Sequence, residues 1–157
     1  MADNLKKSAL ENYKLICNAL DEIEFNYETD EENLKVRFGY ITEDEERLHF
    51  VFSIKQNQQL IALYIYPEYD VKKEKTLDIA IATSVINYAL IDGSFDFDTE
   101  SRDLMFRMTT NFWDSLLSTE VVKQMIFAGA TITEQNIKIL SEINDGSQSL
   151  KEFLENY

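Results

Sequence analysis

Apolar residues recur at two different periods along the chain, and the switches between those periods divide it into elements. Over residues 4–20, Leu5, Ala9, Tyr13, Ile16 and Leu20 lie three or four apart, with Leu10 and Cys17 widening the same stripe, which predicts an amphipathic helix with one face to bury. The period then falls to two. Phe25 and Tyr27, then Leu34, Val36, Phe38 and Tyr40, alternate with polar neighbours across the acidic turn 30–33 and predict two half-buried antiparallel strands. A second acidic turn, 42–46, leads to a strand with Leu48, Phe50, Phe52 and Ile54 on one face. The next run, LIALYIYP, is apolar on both faces and closes at Pro67. A strand apolar on both sides needs two covers, one from the domain's own helices and the other from a second copy or a bound partner.

Residues 76–110 combine both periods. Leu77, Ile81, Val85, Tyr88, Ala89 and Ile91 mark a helix with Thr76 as its N-cap and Asp92-Gly93 as its stop, Gly93 tolerating positive φ. Phe95 and Phe97 then alternate with Asp96 and Asp98, the polar turn TESRD follows, and Leu104, Phe106 and Met108 alternate again, which predicts a hairpin. Beyond it, Ser118 or Thr119 caps a helix carrying Val121, Val122, Met125 and Ile126. Thr131 and Glu134 have capping-box spacing ahead of Ile137, Leu140 and Ile143, Asp145-Gly146 is a stop, and SLKEFLENY forms a last short helix through Leu150, Phe153 and Leu154. The expected fold is α+β. An antiparallel sheet of five or six strands spans residues 25–108, helix 77–91 is inserted between its two groups, that helix and the N-terminal one cover one face, and two or three short helices close the chain.

Composition narrows the class. With 157 residues and 45% hydrophobic content, the chain suits one domain, 1–157, and has no repeat or proline-rich linker to divide it. Fifteen basic against 29 acidic residues give a net charge of -14, which repels phosphate backbones and anionic lipid, so neither nucleic acid nor membrane is an expected partner. The one dense basic spot, Lys72, Lys73 and Lys75, is diluted by Glu74 and reads as a solvated connector. One cysteine, Cys17, cannot form an intramolecular disulfide and suits a reducing compartment. No run approaches the roughly 20 apolar residues of a membrane span, and a cytoplasmic location is expected.

Candidate chemistry is sparse. His49 is the only histidine and alternates into a strand, where a solvent-facing or structural role accounts for it. One Cys and one His do not make a zinc site, and the four glycines form no phosphate-cradling loop. The abundant reactive groups are carboxylates. Asp92, Asp96, Asp98 and Glu100 present oxygen at alternate positions, as a calcium or magnesium site would, and as any strand with one wet face does. The spacing lacks the glycine and distal glutamate of a calcium-binding helix-loop-helix. The acidic runs 30–32 and 43–46 read as turns kept soluble by charge, and no cofactor is expected.

The order of elements, with the region NYALIDGSFDFDTESRDLMFRM, resembles the YbjN-type sensory-transduction-regulator family, whose domain is similar in fold to the type III secretion chaperones. The likeness covers residues 24–143 and includes the paired strands LHFVFSIK and LIALYIYP, Asn87 near the helix end, and the step Gly93-Ser94-Phe95. This chain departs from the pattern in its fairly long N-terminal helix and in Ser101-Arg102 at a hairpin turn where glycine is common. The resemblance carries over no catalytic residue. It implies a non-enzymatic, dimeric module that binds another protein, as a regulator or as a chaperone-like holder of an extended segment. Tyr40, Tyr64, Tyr66, Phe112 and Trp113 are the candidate partner-binding residues, since Tyr and Trp join large contact area to a polar handle; lining the domain's own core is their alternative role. The competing class is a carboxylate-based, divalent-metal-dependent enzyme or a calcium-binding domain.

Overall fold

Six strands form one antiparallel sheet, seen in a computed structural model that describes residues 2–43 and 45–157, side chains of Ala2 and Asp3 excepted. The elements run α1 (Ala2–Glu22), β1 (Glu28–Asp30), β2 (Lys35–Ile41), β3 (Arg47–Lys55), β4 (Leu60–Pro67), α2 (Thr76–Ala89), β5 (Ser94–Phe97), β6 (Leu104–Asn111), α3 (Thr119–Asp145) and α4 (Leu150–Asn156). The strand order is β1-β2-β3-β4-β6-β5, so α2 carries the chain past the sheet's centre and the hairpin returns to pair with β4. The α+β class and the helix inserted between two groups of strands are as the periodicity predicts. Asp44, in the second acidic turn, lies outside the described residues.

The register builds the core. Phe38 pairs with Phe50, Phe50 with Ile65, Ile65 with Phe106 and Phe106 with Phe95, so one apolar row crosses five strands on a single face. All five side chains are buried. Phe38 stacks on Phe50 with centroids 4.8 Å apart, and Phe95 meets Phe106 at 5.1 Å. A second row, Val36, Phe52, Leu63 and Met108, runs beside the first. Over these rows α1 lays Ala9, Tyr13, Ile16 and Leu20, while α3 lays Val122, Met125, Ile126 and Ile137. Gly129 lets α3 sit close, because a Cβ there would stand 2.8 Å from Ile65 Cδ1. The second helix over the sheet's centre is therefore α3, not α2 as expected, and α2 packs instead beside β5 at the edge.

Four local expectations are corrected. First, α2 buries Ile79, Ala82, Thr83 and Ile86, whereas Leu77, Tyr88 and Ile91 are 70%, 94% and 104% exposed. Its sequence is apolar nearly all round, so periodicity cannot choose a face, and the neighbours α3 and β5 choose it; buried Thr83 is satisfied through the Ile79 carbonyl. Second, Lys75 is the N-cap, and Thr76 is the first helical residue, its hydroxyl donating to the Lys73 carbonyl. The helix ends where Leu90 turns extended. Gly93, at φ 74, serves the start of β5, where a Cβ would enter the Phe106 ring. Third, residues 119–145 form one helix with Thr131 exposed on its surface. The side chain of Glu134 instead accepts the Glu43 amide, and the real capping box is Ser149 with Glu152, heading α4. The interval of three occurs inside helices as well as at their starts, and tertiary packing decides. Fourth, β1 is only three residues long, leaving Phe25 to meet Phe38 edge-on and Tyr27 to donate to Asp21.

The β5 edge is closed by a side chain. Asn87 Oδ1 accepts the Phe95 amide at 2.7 Å while its Nδ2 donates to the Phe95 carbonyl at 2.9 Å, so one amide group stands in for a neighbouring strand. Asn87→Ala strips both partners at once and is expected to lower stability by about 1–3 kcal/mol. A denaturation midpoint equal to that of the parent protein would show that this contact does not guard the edge.

Candidate partner-binding surface

Alternation along the strands gives the sheet a second, wetter face. Tyr64 and Tyr66 stand side by side on β4 with rings 6.5 Å apart, and the Lys55 ammonium lies 5.6 Å from the Tyr64 centroid. Across β6, Arg107 is opposite Tyr64 and binds Asp96, Nε to Oδ2, at 2.6 Å, a contact that holds the guanidinium above its ordinary pKa. Burial pushes the Tyr66 phenol up. The run LIALYIYP, read as apolar on both faces, is thus two-sided in chemistry. Ile61, Leu63 and Ile65 face the helices, while half-buried Tyr64 and Tyr66 lie on the other face opposite Arg107 and His49, and Ala62, between Ser53 and Thr109, is buried there.

The five aromatic candidates do not share one surface. Tyr64 and Tyr66 lie on the outward face, whereas Tyr40 is half-buried on the helix side with its ring edge-on to Phe50 at 5.9 Å. Phe112 is 1% exposed and belongs to the core, so in this fold it offers a partner no surface. Trp113, the next residue, is 69% exposed. Sequence reasoning did not place Leu77, Tyr88 and Ile91 outside, and it passed over Leu116 and Phe127, which are also exposed. For Leu77 and Tyr88 the signal was present as a helix with more apolar positions than one buried face can hold, so that a second group stays uncovered.

Trp113 stands on a tightly fastened loop. Asn12 of α1 is fully buried, and its Nδ2 donates to the Ser115 and Ser8 carbonyls, both at 2.9 Å, while its Oδ1 accepts the Leu117 amide at 3.1 Å. At the other end the Phe112 amide donates to the Gln59 carbonyl and the Asp114 amide to the Gln59 side chain. Asn12→Ala leaves these loop groups unpaired against the core. It is expected to cost about 1–3 kcal/mol and to raise acrylamide quenching of the tryptophan. Unchanged quenching would mean that Asn12 does not hold the loop.

The carboxylates are engaged elsewhere. Asp96 pairs with Arg107 and accepts the Ser94 hydroxyl, and Asp98 accepts the Ser101 and Glu100 amides, which keep its carboxyl below the usual range. Asp92 lines a separate crevice with Met108, Gln124 and Ala128. Among the described residues no group of three or more His, Cys, Asp or Glu is placed to hold a metal. His49 is exposed, 3.9 Å from Glu68, beside an open crevice of about 410 Å³ whose lining contains no serine, threonine or cysteine. No described helix is long and apolar enough to cross a membrane.

Comparison with known proteins bears on this surface. A family model described as "YbjN: Putative bacterial sensory transduction regulator" matches residues 12–142. The crystal structure of "YbjN, a putative transcription regulator from E. coli" aligns with a TM-score of 0.59 at 11% identity, covering 86% of this chain and 92% of that one. The HopA1–SchA chaperone–effector complex aligns at 0.53 and 15% identity, covering 84% of this chain and 94% of that one. These identities speak to fold alone. A search of curated proteins finds no match.

Proposed function

The chain belongs to the YbjN family, and from that premise we propose that it is a single-domain, cytoplasmic and non-enzymatic module that dimerises and binds another protein through apolar surface. It serves as a regulator or as a chaperone-like holder of an extended segment. The observation that carries this reading is the outer stripe of α2, where Leu77 and Tyr88 are exposed beside half-buried Ile81 and Val85, with exposed Ile91 just past the helix end. Tyr64, Tyr66 and Trp113 add further aromatic surface, and Tyr40 borders the helix layer. The family description and the chaperone–effector complex among the fold neighbours support a protein-interaction role. The charge of -14 favours protein over nucleic acid or anionic membrane.

In this reading the α2 stripe meets its counterpart in a second copy. Light scattering at micromolar concentration is expected to give the mass of a dimer, and Tyr88→Lys to give a monomer with an unchanged unfolding midpoint. A monomeric parent protein would remove the dimer from the proposal. The competing carboxylate-metal reading makes an opposite forecast for titration with calcium or magnesium, since a ion bound only by the native state raises the unfolding midpoint with concentration. No rise is expected; a saturable one would revive that reading.

A further inference from the structure

The loop that joins β6 to α3 is built against its own backbone preferences. Trp113 and Asp114 are consecutive residues with φ of 33° and 55°, in the left-handed region that glycine occupies freely and that side-chain crowding disfavours for other residues. The bonds from Asn12 and Gln59 hold them there. The conformation turns Phe112 and Leu117 toward the core while Trp113 and Leu116 project outward, Leu116 being exposed as well. No ion pair engages the Asp114 carboxylate among the described residues. A rigid loop thus offers an indole face, an adjacent unpaired carboxylate and an aliphatic side chain three residues on.

We propose that this loop is a pre-folded docking knob for a basic protein segment, in which an arginine or lysine of the partner lies on the Trp113 ring and pairs with Asp114 while an apolar neighbour packs on Leu116. The proposal rests on the reading of the chain as a protein-interaction module and names the chemistry of the partner. Charge selects the partner's sign. A chain at -14 draws cationic segments by long-range attraction, and the indole face with the carboxylate beside it supplies the short-range complement. Pre-organisation adds to this, because a loop already fixed loses little freedom on binding.

Trp113 is the only tryptophan in the chain, so its fluorescence reports this loop alone. The probe is a synthetic peptide alternating arginine and leucine, with a glutamate–leucine peptide of equal length as control. The basic peptide is expected to shift Trp113 emission saturably and the acidic one to leave it unchanged. Asp114→Asn, which keeps a residue tolerant of positive φ, should weaken binding about threefold. Leu116→Ala should weaken it about tenfold, as should Trp113→Phe measured by calorimetry. Unfolding midpoints close to the parent's are expected for the Asp114 and Leu116 variants. The knob is overturned by equal responses to both peptides, by affinities indifferent to Asp114 and Leu116, or by an emission shift that follows protein concentration or added phosphatidylcholine vesicles instead of peptide. Heat of peptide binding with silent Trp113 emission would also overturn it, while leaving the broader protein-binding reading intact.

Discussion

The apolar row Phe38, Phe50, Ile65, Phe106 and Phe95 is the contact on which the rest of the architecture depends. Each such side chain contributes about 1.5–3 kcal/mol when fully buried, and the row fixes the register of five strands at once. Slipping one strand by a residue would bring Arg37, His49, Tyr64 or Arg107 under the helices and carry a phenylalanine or isoleucine to the wet face. The same row locates the glycines. Gly129 lets α3 lie down over Ile65, and Gly93 lets the chain pass the Phe106 ring, so the two glycines where a Cβ would collide both serve side chains of this row.

Helix placement follows from the same layer. α1 and α3 share the area above β2, β3, β4 and β6, and Lys123 of α3 ties them by reaching Glu22 at 2.5 Å as well as Glu120 at 2.9 Å. α2 is left the edge. There it gives Asn87 to the open backbone of β5 and retains an outer stripe that none of the described residues covers. A largely apolar helix that sits at an edge leaves surface for another molecule, while the abundant carboxylates keep that surface from indiscriminate association.

Much of this was legible in the residues. Alternation placed β3, β5 and β6 with the correct inward side chains, because on a sheet with one covered face the period of two leaves only one choice, whereas β4, apolar at nearly every position, offered no such choice. The helix termini and the face of α2 were less legible for a physical reason. Capping-box spacing at Thr131 and Glu134 competes with a helix whose buried side chains continue unbroken from Val122 to Ile143, and packing of that length outweighs a cap worth about 1 kcal/mol. In α2 the apolar residues outnumber the positions that can be buried. The stripe taken as inward, Leu77, Tyr88 and Ile91, is the one left outside.

Phe112 and Trp113 show where reading by residue type stops. Both are large aromatics, adjacent in the chain, and the sequence offered both to a partner; one is core and the other is surface. What separates them is a left-handed pair at Trp113 and Asp114, and no glycine marks it. Its stabilisation comes from Asn12, 103 positions away from Ser115 and 105 from Leu117, a residue that in α1 looks like one more polar position on a helix. Local patterns report local preferences. A strained loop is held by distant bonds against those preferences, so its geometry, and with it the exposure of Trp113, exists only once α1 has packed beside the end of β6.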